Sequence, residues 1–152
     1  MISITDKTLQ DLQFSTVLGT ISSICNTDIG KQKALEIVPF KTKESLMTAL
    51  LQTSEYLSSF QNNNAIPNHG FDAITYEIKL LGIEDSFLEV GSFKKIATIS
   101  ETSNLLIQFF KKFEEYYPYL NAKTSQIEYT KEIIKLIDEV VDKYGEIYTP
   151  ST

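Results

Sequence analysis

The sequence has no arginine: all 14 of its basic residues are lysine. That absence removes the side chain best suited to bidentate contacts with phosphate or guanine. Against the lysines stand 20 acidic residues, for a formal net charge of −6. A self-sufficient nucleic-acid binder needs a cationic surplus to neutralise phosphates, so any such role must be supplied elsewhere or by lysine alone. There is one cysteine, Cys25, which allows neither an internal disulfide nor a thiolate metal cluster and suits a reducing compartment. The one histidine, His69, sits in the polar run QNNNAIPNHG with no second histidine or cysteine at ligand spacing, and reads as a solvated loop residue. No apolar run approaches a membrane span, and the opening MISITDKTLQDL lacks the regions of a signal peptide. A soluble, unprocessed, cytoplasmic protein without a membrane partner is expected.

Catalytic patterns are equally scarce. The Gly30-Lys31 pair fails as a phosphate loop, because Cys25 stands where the first glycine belongs and Gln32 replaces the serine or threonine. No serine lies in a nucleophile-elbow context, and Glu84, Asp85 and Glu89 fall in a turn with nothing to perturb their acidity. Asp138 and Asp142 are four apart on one expected helical face, but no histidine or further acid converges on them. The sequence therefore offers no catalytic residue, no cofactor site and no metal site.

What it does offer is helical periodicity. With 152 residues and 42% hydrophobic content, the chain is long enough for a single helical domain, 1–152, with its own core. Its organising stretch is Ser92 to Tyr117, free of proline and glycine. At 100° per residue, Ile96, Ile99, Leu105, Leu106, Ile107, Phe109, Phe110, Phe113 and Tyr116 cover more than half of its circumference, while Lys94, Glu101, Asn104, Gln108, Lys111, Lys112 and Glu115 share the water-facing remainder. Pro118 is expected to stop this helix, leaving Glu114 and Glu115 in a last turn where their sign is unfavourable.

Around this spine the sequence predicts shorter helices. Thr8 is a plausible N-cap for a first turn, and Phe14, Val17, Leu18, Ile21, Ile24 and Cys25 form an amphipathic face weakened by Gly19. Cys25 reads as a buried packing residue, since no base or cation adjoins it. Thr27 and Thr42 cap the next two helices, the second carrying Leu46, Leu50, Leu57 and Phe60. Asp72 caps another, with Ile74, Ile78 and Leu81 on one face and Gly82 just past its end; Gly91 or Ser92 caps the spine. From Ile127 the segment IEYTKEIIKLIDEVVDKYG presents Ile133, Ile134, Ile137, Val140 and Val141 and ends at Gly145. The expected fold is all-α, five or six helices in a multi-helix arrangement around one long central helix, with extended pieces at most near Ile2 to Ile4 and Glu146 to Tyr148.

Two surfaces are candidates for contact. Tyr116, Tyr117 and Tyr119 cluster at the end of the spine, as tyrosines do at interfaces and at packed corners alike. Lys94, Lys111 and Lys112 share a side where they could meet a phosphate backbone, opposed by Glu101 and Glu115, so DNA binding by this chain alone should be weak.

Beyond single motifs, the order of elements resembles a known family. KTLQDLQFSTVLGTISSICNTDIGKQKALEIVPF, with Leu12, Phe14, Val17, Ile21, Gly30, Leu35 and Pro39, is similar to the start of MutS-type proteins of the second bacterial subfamily, which lack a mismatch-reading domain. LLQTSEYLSSF and DAITYEI resemble the next two helices of that family, and IDEVVDKYGEIYTPS resembles its ending, except that Tyr148, Thr149 and Pro150 stand where an aspartate and an alanine are usual. The resemblance implies an N-terminal fragment of the helical core and lever of a larger DNA-repair or recombination-control ATPase. ATP and magnesium would bind in a missing ATPase region, and a DNA endonuclease domain would lie further on. Partners would be the rest of the polypeptide, DNA and a second copy in a homodimer. No catalytic residue carries over. A stand-alone helical adaptor, using the Tyr116 to Tyr119 corner or the Phe109, Phe110 and Phe113 face, is the alternative; an enzyme using scattered carboxylates is a third reading.

Overall fold

The computed structural model describes residues 4–142 and 146–148. Those residues are all-α: eight helices, no strand, and one isolated antiparallel bridge between Val141 and Ile147. The chain divides into two compact units, Met1–Ala65 and Ile66–Thr152.

The first unit holds α1 (Asp6–Asp11), α2 (Phe14–Ser23), α3 (Asp28–Leu35) and α4 (Lys43–Ser59). Threonine hydroxyls start three of them. Thr5 Oγ1 accepts from the Thr8 amide at 3.2 Å, Thr27 Oγ1 from Gly30 at 3.0 Å and Thr42 Oγ1 from Ser45 at 3.1 Å, each cap contributing about 1 kcal/mol. Thr27 and Thr42 stand as the sequence predicts. At α1 the cap is Thr5 instead of Thr8, because Thr8 sits one turn inside and supplies the amide that is capped. Between α1 and α2 the chain turns through Gln13, whose φ of 51° is left-handed.

The α2–α3 pair forms the packed part of this unit, around Leu18 and Ala34. Ser22 Oγ on α2 donates to the Lys31 carbonyl on α3 at 3.0 Å. A Cβ added at Gly30 would lie 3.0 Å from Thr27 Oγ1 and 3.5 Å from Cys25 Cβ, so any larger residue here presses on the Thr27 cap. Cys25 is half-buried instead of buried. It lies beyond the end of α2, where its Sγ donates to the Ile21 carbonyl at 3.3 Å, and Val17 and Ile24 of its predicted face are exposed. Helix α4 keeps Met47, Leu50 and Leu57 exposed, and Phe60 just past its end is exposed as well.

The second unit holds α5 (Thr75–Leu81), α6 (Val90–Lys112), α7 (Pro118–Thr124) and α8 (Lys131–Asp138). Here α6 is the predicted spine, with α7 and α8 packed against it, but its ends differ from expectation. It begins after Glu89 rather than at Gly91 or Ser92, and ends at Lys112 rather than Tyr117. This ending puts Lys111 and Lys112 in the last turn, the favourable sign for the helix dipole, and moves Glu114 and Glu115 into the turn beyond. Pro118 does not stop α6. It opens α7 as an N-terminal helical residue, where its missing amide costs nothing.

The corner between α6 and α7 is aromatic. Tyr117, 0% exposed, stacks on Phe109 with centroids 5.8 Å apart and meets Phe110 edge-on at 6.0 Å. Phe109 also lies 4.9 Å from Phe113. Such pairs add about 0.5–1.5 kcal/mol each beyond area burial.

Three further expectations are corrected. Helix α5 starts at Thr75 without a side-chain cap, so Asp72 is not its N-cap, although Gly82 does follow its end. Its inward side carries Glu77, while Ile78 and Leu81 face out. Helix α8 is only eight residues long; beyond Asp138 the chain leaves the helix and Val141 pairs with Ile147. The β-branched Val140 and Val141 suit that extended pairing. Asp142 is therefore not on one helical face with Asp138, and its Oδ1 instead accepts from the Glu146 amide at 2.9 Å. Gly145, expected to end this helix, and Ile2 lie outside the described residues.

Candidate functional site

An open groove of about 670 Å³ lies between α6 and α8. Leu105 and Ile134 supply its apolar floor, flanked by Glu101, Asn104 and Gln108 from α6 and by Tyr129, Lys131, Glu132, Lys135, Asp138 and Glu139 from α8 and its approach. Two polar links join the walls. Asn104, 5% exposed, accepts from the Thr130 amide through Oδ1 at 3.0 Å, and Gln108 Nε2 donates to the Tyr129 hydroxyl. Lys131 Nζ stands 5.5 Å from the Tyr129 ring centroid, and Lys135 pairs with Glu139 at 3.8 Å.

Four carboxylates against two lysines leave this groove negative. It would repel a phosphate, and it presents no nucleophile with an adjoining base. Its chemistry suits an apolar body with a polar or cationic rim. Among the described residues no group of three His, Cys, Asp or Glu side chains could hold a metal ion.

The predicted contact residues fall in different places. Of the tyrosine cluster, Tyr117 is core and has no surface to offer, whereas Tyr116 and Tyr119 are exposed. Lys94, Lys111 and Lys112 are all exposed. Yet Lys94 and Lys112 are five turns apart, about 27 Å along the helix, and Lys112 Nζ rests 5.2 Å from the Phe113 ring centroid.

No protein-family model matches the chain, and no solved structure matches it. A curated protein does match: over 146 residues the chain is 24% identical to "Endonuclease MutS2" of Leuconostoc mesenteroides, covering 93% of this chain and 18% of that protein. The chain is similar to a MutS2 endonuclease. The similarity supports a distant relation to MutS proteins, and the chain spans less than two thirds of that relative's length.

Sequence reasoning missed the groove because it placed Asn104 and Gln108 on the water-facing side. A polar residue in mid-helix reads as solvated unless the neighbour that covers it is known. The usable signal lay in α8, where the third helical residue is Ile133 and no Glu or Gln stands ready to close a capping box.

Proposed function

We propose that this chain is the non-catalytic helical core or lever region of a longer MutS-like DNA-repair or recombination-control ATPase of the second bacterial subfamily. The observation that carries this reading is the similarity to a MutS2 endonuclease across 93% of the chain but only 18% of the relative. The all-helical architecture with one long helix, α6, suits an element that connects and transmits. In this reading ATP and magnesium bind in the remaining polypeptide, DNA is held by the intact cytoplasmic homodimer, and any nuclease lies downstream.

The test begins with the genomic reading frame: a downstream G-x-x-x-x-G-K-[ST] supports the proposal, and a frame that closes without one overturns it. At the bench, the isolated chain should neither release phosphate from ATP nor bind branched DNA with submicromolar affinity at about 0.15 M salt. Turnover above a buffer blank, or tight binding that falls steeply with salt, would also sink it.

A helical adaptor is the second reading. It is favoured by the exposed Tyr116 and Tyr119 and by the exposed Met47, Leu50 and Leu57 of α4 with Phe60 beyond its end.

A further inference from the structure

Helices α6 and α8 pack on each other yet leave the groove between them open. Leu105, in the middle of α6, is 49% exposed and lines it, an apolar side chain that α8 does not cover. The bonds that tie Thr130 to Asn104 and Tyr129 to Gln108 direct α8 back along α6, towards Glu101. Charge is therefore ordered along the groove. Gln108, Tyr129, Lys131 and Glu132 line one end with opposite charges in balance, whereas the other end sets Glu101, Asp138 and Glu139 against Lys135 alone. Lys135 pairs with Glu139. Glu101 and Asp138 are exposed and have no hydrogen-bond or ion-pair partner among the described residues. Asp138 closes α8 and Glu139 caps it, although the C-terminus of a helix favours cations.

Two packed helices form a furrow into which a third can lay a ridge of side chains, the mode in which a helix docks through apolar anchors at i, i+3 or i+4, and i+7. From Glu101 to Gln108 the α6 wall runs about 10 Å, the length of about two turns of such a helix. Charge selects which helix fits. A cation between Glu101 and Asp138 is attracted by both carboxylates and by the last carbonyls of α8, whereas an acidic helix is repelled. A polycation without an apolar ridge would leave Leu105 wet. We propose that the α6–α8 groove docks a basic amphipathic helix of another polypeptide segment, its apolar ridge on Leu105 and Ile134 and a lysine or arginine at the Glu101–Asp138 end.

The probes are three acetylated, amidated alanine-based helices of about 15 residues, the length at which an isolated helix begins to hold, titrated into the full chain. One carries leucines along one face flanked by lysines; the second has glutamate in place of lysine, and the third alanine in place of leucine. Methyl resonances of Leu105 and Ile134 and the side-chain amide of Gln108 should shift saturably with the leucine–lysine probe below about 1 mM. The glutamate probe should bind about tenfold more weakly, and the alanine-faced probe should not saturate. Glu101→Gln combined with Asp138→Asn alters only exposed side chains, so the urea midpoint should hold while affinity for the lysine probe falls several-fold. Leu105→Ala should weaken the same probe by removing the floor of the groove. Equal binding of the lysine and glutamate probes, unchanged affinity in both variants, shifts confined to Met47 and Leu50 of α4, or no saturation below about 1 mM would overturn the proposal.

Discussion

Replacing Asn104 with alanine tests whether a buried amide on α6 sets the start of α8. The Thr130 amide precedes the first turn of α8, and the Thr130 side chain makes no cap hydrogen bond of its own. Its amide is satisfied from 26 residues away, by Asn104 Oδ1 at 3.0 Å. Stranding a buried backbone donor costs about 1–3 kcal/mol. Thr130 is only half-buried, so water recovers part of this loss, and the expected destabilisation is about 1–2 kcal/mol. At 1.4 kcal/mol per tenfold, the Thr130 amide should exchange with solvent roughly 5- to 30-fold faster. Native-state amide exchange reads that factor directly, with urea unfolding as the global companion measurement. Asn104→Leu separates hydrogen bonding from packing, since it fills similar volume without an acceptor, and Thr130 should lose as much protection as in the alanine variant. Asn104→Asp keeps an acceptor at a helix N-terminus but buries a charge beside four carboxylates, so Thr130 should stay better protected than in the alanine variant while the urea midpoint falls. If Thr130 protection is unchanged in the alanine variant, or is restored by leucine, the hydrogen bond is not what holds α8.

Other outcomes follow from the same geometry. Gly19→Ala should raise the urea midpoint by the equivalent of about 0.5–1 kcal/mol, since a Cβ there meets nothing within 4 Å, whereas Gly30→Ala should lower it by crowding the Thr27 cap. Tyr117→Ala should cost about 3–5 kcal/mol, read by urea denaturation, with Tyr117→Phe retaining most of the ring packing. The Glu77 carboxyl is held below its ordinary value, first by the backbone N–H of Glu77 and then, against the opposing effect of burial, by Lys95 and Ser92. A depressed folded-state value contributes stability that is complete above the unfolded carboxylate pKa and is lost as pH falls through the folded one. Wild type should therefore lose thermal stability more steeply than Glu77→Gln below about pH 4.5, and parallel acid limbs would refute this.

What the sequence made legible was local. The caps at Thr27 and Thr42 need only a hydroxyl three residues before the amide it serves, and the long α6 follows from periodicity without helix breakers. What it hid depended on partners distant in sequence. Tyr117 read equally well as interface or packed corner until Phe109 and Phe110 from the preceding helix were seen to enclose it, and Pro118 looked like a terminator although proline is equally at home at a helix start. Asn104 and Glu77 were misplaced or passed over because hydrophobic periodicity assigns polar residues outward. Both are held by long-range bonds, Asn104 to Thr130 and Glu77 to Lys95 and Ser92, that no window of neighbouring residues contains.

The corner at Phe113–Tyr117 has a mechanical consequence. Helix α6 is a rod of about 34 Å, and it meets α7 through interlocked rings rather than through a glycine hinge. Close-packed side chains are nearly incompressible, so a displacement along the rod reaches α7 with little slack. Stiffness there resides in side chains that can be trimmed one at a time. Removing a ring should turn the joint compliant while the rod stays helical, separating how far this corner bends from whether the helices form.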